Sequence, residues 1–439
     1  MTNGNLSDIA LLPGDGTGNF RPRVEVPSGR NPAAVLAGDF NHDGKADYIT
    51  ANLDSNTVSV VLGKGNGTFF DIGPDIPSNG AFSNQIIAAD FNHDGIMDLA
   101  QVNTGIFGDQ VGNSVSILLG ASGGGFQTGR VFVAGTFPTA LAAGDLNNDG
   151  LLDLAVGAFG DMARSIPPRL AVLPGNGDGT FGPPQEFVPG PGSPTSVAIA
   201  DVNGDGNLDA VVAHDGRIGG VSLLLGNGQG GFAQPQQIVT FGIVGHVSTV
   251  VAVDFNRDGK IDIAYLSITD QNRVTVHLGN GNGSFQRPKV VTSAGLATQF
   301  STCSVGDFNN DGLFDLAVEE LGFIEVLLGD RQGNFTSRGG FSEGTASSFP
   351  FVPSLALADF NGDGLLDVAA PDGFAESVSL LLGNGDGTLG SAQLFAGGLA
   401  DSAVALTVAG FQPAIAMTTR DSTVRIVKNA TRSSRRRRG

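Results

Sequence analysis

Short apolar runs, each bounded by Gly, Pro, Asn or Asp, recur along the whole chain. Between Ser354 and Ala396 four of them follow one another: Ser354–Ala358, Leu366–Ala370, Ser377–Leu382 and Gln393–Ala396. They are rich in Val, Leu and Ala, and their length and boundaries predict strands. No segment keeps a helical apolar period over about eleven residues or more. Four short antiparallel strands in a unit of about fifty residues is the size of one propeller blade.

The polar breaks between the runs are not random. Seven nine-residue segments read DFNHDGKAD (39–47), DFNHDGIMD (90–98), DLNNDGLLD (145–153), DVNGDGNLD (201–209), DFNRDGKID (254–262), DFNNDGLFD (307–315) and DFNGDGLLD (359–367). Their starts lie 51, 55, 56, 53, 53 and 52 residues apart, which makes them one element of a repeat. A second element, a Gly-rich turn, alternates with them. Its copies begin at Val61, Leu118, Leu173, Leu224, His277, Leu327 and Leu381, and an eighth, LPGDGTGNF (12–20), precedes the first loop.

The expected fold is therefore all-β, one β-propeller of four-stranded antiparallel blades over residues 1–430. The units fall at about 29–80, 81–135, 136–192, 193–244, 245–297, 298–350 and 351–400. A degenerate closing unit would combine 401–430 with 5–28, and 431–439 would be a disordered basic tail. In the C-terminal piece Gly410 replaces the first Asp and the loop is deleted. That piece offers strands one to three, and Pro22–Val26 offers a fourth. Joining them closes an eight-bladed ring without exposed sheet edges. Asp8–Leu12 is then surplus. A seven-bladed ring is the alternative.

The nine-residue segment has the chemistry of a calcium loop. Ca²⁺ takes six to eight oxygens at about 2.3–2.6 Å. Alternate residues of a tight loop turn inward together. In the first loop Asp39, Asn41 and Asp43 would bind through side chains, Lys45 through its carbonyl, and Asp47 through its carboxylate. The same five positions are Asp90, Asn92, Asp94, Ile96 and Asp98 in the second loop, and Asp145, Asn147, Asp149, Leu151 and Asp153 in the third. They are Asp201, Asn203, Asp205, Asn207 and Asp209 in the fourth, and Asp254, Asn256, Asp258, Lys260 and Asp262 in the fifth. The sixth has Asp307, Asn309, Asp311, Leu313 and Asp315, and the seventh Asp359, Asn361, Asp363, Leu365 and Asp367. The Gly at position six allows a positive φ where the chain must turn. An EF-hand would need a distant Glu and flanking helices. Here the twelfth residue from Asp145 is Val156 and the flanks are strands. The competing reading is a set of acidic turns, since Asp, Asn and Gly are ordinary turn residues.

Charge favours the metal. Each loop carries three carboxylates, so 7 × 3 = 21 of the 43 acidic residues sit in these loops. Such charges repel at short range without a cation. About seven structural Ca²⁺ would bring the net charge from −19 to −5. The acidic body excludes nucleic acid as partner, which needs clustered Lys and Arg. No stretch approaches the roughly 20 apolar residues of a membrane helix, and no signal peptide is visible.

These loops and turns resemble the FG-GAP/VCBS repeat family, which includes the propeller of integrin α-subunits and certain lectin propellers. The resemblance implies Ca²⁺ in the strand 1–2 loops, bound at positions one, three, five, seven and nine. It also implies an extracellular or cell-surface setting and roles in adhesion or ligand recognition.

Other features carry less. The turn at Gly383–Gly390 mimics a nucleotide cradle, yet a strand follows it rather than a helix. The histidines His42, His93, His214, His246 and His277 form no pair at zinc spacing. Cys303 reads as a small buried hydrophobe or a reactive thiol. The 29 Phe are expected to pack between blades. The leading expectation is a non-enzymatic, monomeric, calcium-binding module for protein interaction or adhesion. The alternatives are a carbohydrate-binding propeller, weakened by the absence of Trp, and a propeller enzyme such as a hydrolase or lyase.

Overall fold

A computed structural model of the chain describes residues 8–11, 24–30, 32–45, 47–64, 68–70, 73–81, 83–105, 112–216, 219–240, 246–268, 273–292, 300–320, 323–342, 355–372 and 377–396. Among them, the apolar runs are strands and the one helical element is a 3₁₀ turn at Met162–Arg164. The last repeat shows the match: its strands are Ala356–Ala358, Asp367–Asp372, Ser377–Leu381 and Gln393–Ala396.

The strands form seven four-stranded sheets, each paired in simple up-and-down order. The protein is an all-β propeller with seven blades among the described residues. Blade 3 runs Pro138–Gly144, Asp153–Ala158, Arg169–Leu173 and Gln185–Phe187. The first strands of successive blades lie against one another, as Pro138–Gly144 does against Ser193–Ala200 and that strand against His246–Val253. They are the inner strands, and the fourth strands form the rim. Second strands are buried on both sides, every residue of Asp153–Ala158 included, which explains their unbroken apolar reading.

The cores lie between blades. One cluster joins Ile87, Val102 and Val115 of blade 2 to Leu141, Val156 and Ala171 of blade 3. Clusters of the same kind join blades 1 and 2, 3 and 4, 4 and 5, 5 and 6, and 6 and 7. A blade alone could not bury such a face, which is why the repeat is stable only as an array. Phe side chains serve these boundaries as expected: Phe187 of blade 3 meets Phe232 of blade 4 with ring centroids 5.5 Å apart.

Each inner strand of blades 1 to 6 has a register shift six residues before its loop, at Ala33, Asn84, Thr139, Thr195, Ser248 and Ser301. A bulge re-aims the extra residue. Thr139 uses it to donate to the Pro194 carbonyl of the next blade at 2.8 Å, and Thr195 to the Val247 carbonyl at 2.6 Å.

The preference for eight blades needs correction in its strand assignment. Asp8–Leu11, expected to be surplus, pairs antiparallel with Val24–Pro27 from Asp8↔Pro27 to Leu11↔Val24. Val26 then packs on Val61 of blade 1. Among the described residues these two strands form a two-stranded sheet of their own, so Asp8–Leu11 is a paired strand rather than a surplus one. The closing unit at 401–430, the basic tail and the turn copy at 12–20 lie outside the described residues, as do the side chains of Cys303 and His246.

Candidate functional site

The nine-residue segments are the hairpin connections between first and second strands. The residue before position one pairs with position nine, as in Gly144↔Asp153 and Gly38↔Asp47. Two residues of each loop are left-handed. Gly at position six has φ between 80° and 86° in six loops, and 85° at Gly364. Position four is also left-handed: His42, His93, Asn148, Gly204, Arg257, Asn310 and Gly362 have φ from 56° to 78°. Sequence reasoning anticipated the glycine and missed position four, although Asn and Gly there were a signal.

All seven loops use one hydrogen-bond scheme. In the first, Asp39 Oδ1 accepts from Asp43 N at 3.0 Å and Oδ2 from Gly44 N at 2.8 Å. Asn41 Oδ1 also accepts from Asp43 N, and Asp43 Oδ1 accepts from Lys45 N, both at 3.0 Å. The seventh loop repeats this with Asp359, Asn361 and Asp363. The side chains at positions one, three and five are therefore drawn together around the same backbone.

The ninth Asp is fully buried in every blade. Its Oδ2 accepts from position two and its Oδ1 from the first glycine of the Gly-rich turn. For Asp153 these are Leu146 N at 3.0 Å and Gly175 N at 2.7 Å; for Asp315 they are Phe308 N and Gly329 N, both at 2.8 Å. The two repeat elements are thus tied together through one carboxylate. The turn residue must be Gly, since a Cβ at Gly175 would strike the Leu152 carbonyl, and at Gly279 the Ile261 carbonyl.

Burial raises the ninth carboxyl above its usual range, and the charges of the fifth and first Asp of its own loop add to this. Asp98, Asp262 and Asp367 are pushed up to about 6 and Asp315 to about 7. Asp47, Asp153 and Asp209 move the same way. Two loops hold a cation of their own. Lys45 Nζ lies 2.9 Å from Asp43 Oδ2, and this hydrogen bond holds the Asp43 carboxyl below its usual range. Lys260 Nζ lies 3.6 Å from Asp258 Oδ2.

This donor set suits a hard cation: it is oxygen only, carries three carboxylates per loop, and the bonded carboxylate oxygens keep a further lone pair except Asp201 Oδ1 and Asp359 Oδ1, which each accept twice. As placed, no three acidic or histidine side chains among the described residues converge closely enough to hold an ion. The carboxylates face backbone N–H groups instead. The residues fit Ca²⁺ by the chemistry of their oxygen donors, and a cation would relieve the repulsion that adds to burial in raising the ninth Asp.

Neighbouring loops touch. Asn148 Nδ2 of blade 3 donates to Asn207 Oδ1 of blade 4 at 2.7 Å. Gly230 N, in the turn of blade 4, donates to Leu146 O in the loop of blade 3 at 3.1 Å. Arg257 of the fifth loop lies over Gly312 of the sixth.

The remaining candidates resolve as structure. The Gly-rich turns are hairpins closed by pairs such as Gly175↔Phe181 and Gly383↔Leu389. His42 and His93 face solvent. His277 stacks on Tyr265 at 5.7 Å, and burial lowers its pKa. His214 Nε2 lies 2.7 Å from Ser222 Oγ, which also accepts from Gln237 at 2.7 Å. Both partners are fully buried. Sequence gave no signal for this pair, which no fixed spacing marks. No described helix is long and apolar enough to cross a membrane.

Comparison with known proteins agrees with this geometry. A model of the FG-GAP-like repeat matches residues 2–50, 39–100, 162–212, 201–265 and 263–318, and one of the FG-GAP repeat matches 137–166. The chain belongs to the FG-GAP-like repeat family. Its fold is similar to that of an Agrocybe aegerita lectin that recognises non-reducing terminal N-acetylglucosamine. The two are 19% identical over 84% of this chain and 96% of the lectin, with a TM-score of 0.50. The periplasmic gluconolactonase PpgL of Pseudomonas aeruginosa is 16% identical over 84% of this chain and 97% of its own, with a TM-score of 0.51. Sqt1 of Saccharomyces cerevisiae is 11% identical over 89% and 88%, with a TM-score of 0.55.

Proposed function

We propose that the protein is a non-enzymatic, calcium-stabilised FG-GAP propeller that binds a macromolecular partner outside the cell, acting as a monomer. The observation that carries the calcium reading is the identity of the seven loops: the same donors, backbone scheme and buried ninth Asp recur in each blade. Calcium would be held by positions one, three, five, seven and nine. Bound there it would neutralise the three carboxylates and brace the first two strands, stabilising the folded state by mass action.

A binding role is preferred to catalysis because the hydroxyl–imidazole contact between Ser222 and His214 is closed to substrate. The experiment is thermal melting with calcium and with excess chelator. A large fall on chelation supports the calcium reading, and no change removes it. A glycan array then separates the partner classes. Binding that depends on calcium would give the carbohydrate reading, and silence leaves a protein ligand.

We also propose that the ring closes with an eighth, loop-free blade. Asp8–Leu11 and Val24–Pro27 would be its outer pair, resting on blade 1 through Val26. The C-terminal sequence offers the inner strands. Removing residues 401–439 should lower the melting temperature by many degrees; an unchanged melt leaves seven blades.

A further inference from the structure

The seven loops share their donors but differ at position seven. That residue is Lys45 in the first loop and Lys260 in the fifth; elsewhere it is Ile96, Leu151, Asn207, Leu313 or Leu365. The difference reaches the fifth-position carboxylate. In the second, fourth, sixth and seventh loops its Oδ2 accepts from the neutral amide of the third-position Asn, at 3.0 Å for Asn92–Asp94 and 2.9 Å for both Asn203–Asp205 and Asn309–Asp311. Asn361–Asp363 repeats it at 2.8 Å. In the first loop that oxygen is met by the Lys45 ammonium at 2.9 Å, and in the fifth by Lys260 at 3.6 Å. The lysine's own backbone N–H already holds the other oxygen, at 3.0 Å in both loops.

We propose that Lys45 and Lys260 are built-in counter-ions that make the first and fifth loops weaker calcium sites than the other five. The inference rests on the calcium reading above. A divalent ion entering either loop must bind beside an ammonium or displace it from Asp43 or Asp258. The lysine stem is flexible and partly exposed, so it can swing away, but the ion pair is lost when it does. An exposed pair of this kind shifts the affinity by roughly fivefold. The first and fifth loops then fill last, reaching half occupancy when the other five are roughly four-fifths loaded.

Equilibrium dialysis of the full chain with radioactive calcium tests this. Three proteins are compared: the wild type, K45M/K260M, which keeps stem length without charge, and L151K, which adds an ammonium to the third loop. The wild type should show five tight sites and two about fivefold weaker. K45M/K260M should show seven of one class, and L151K four tight and three weak. Matching melts in chelator check that the variants fold, and L151K carries the test if the double variant does not. Calcium binding with superimposable isotherms for all three overturns the counter-ion role and leaves the calcium reading standing. No bound calcium in any of them overturns both.

Discussion

Phe91 and Phe181 meet edge to face across the boundary of blades 2 and 3, with ring centroids 5.7 Å apart and planes at 70°. Phe91 is the second residue of one loop, and Phe181 closes the Gly-rich turn of the next blade. The same two positions pair Phe40 with Phe126 and Phe255 with Phe335. The residues that frame the loops therefore also join the blades. Phe181 touches Phe132 as well, at 5.5 Å. Phe181→Ala should cost about 3–5 kcal/mol in calorimetric melting, while Val133→Ser on the exposed rim should stay within about 0.5 kcal/mol. A loss below about 1 kcal/mol at Phe181 would mean that backbone contacts, not aromatic packing, hold the blades.

The buried ninth Asp has a structural role separate from any metal. Asp153→Asn would set an amide N–H₂ against a backbone N–H, from either Leu146 or Gly175. It should cost about 1–3 kcal/mol even in chelator. Asp149→Asn, exposed and bonded through one oxygen, should be neutral in chelator and destabilising only with calcium. Paired melts of both variants check the contrast. Equal behaviour in chelator would remove the separate role of Asp153.

Stability should respond to pH in opposite ways with and without metal. The ninth carboxyls reach about 6 to 7 in blades 2, 5, 6 and 7, above the ordinary value of 3.8. A carboxyl raised in the folded state binds its proton more tightly there than in the unfolded chain. Its contribution is complete below the unfolded value and is lost as pH rises through 6 to 7. The chelated protein should therefore gain melting temperature as pH falls from about 7.5 to about 5. The calcium-loaded protein should lose it, because protons compete with the ion. Parallel curves would show that the loops do not hold the metal.

Much of this was legible in the sequence. The apolar runs around Asp367 gave the strands of blade 7 to within two residues at each boundary. The Asp spacing located all seven loops. What escaped was set by pairing between distant segments. The ninth Asp was read as a ligand only, because its second donor, such as Gly175 N, lies 22 residues further on. The bulge at Thr139 exists only relative to the partner strand, so no run of residues marks it. Asp8–Leu11 was left over because its partner, Val24–Pro27, was assigned to another set of strands.

The most direct measurement is the calcium content of the purified protein by elemental analysis, taken together with a melting curve in excess chelator. The account expects close to seven calcium ions per chain, one for each loop, and a melting temperature that drops steeply when they are removed. A protein that carries little calcium and melts at the same temperature in chelator would contradict it, and the loops would then be acidic turns held by their own backbone hydrogen bonds.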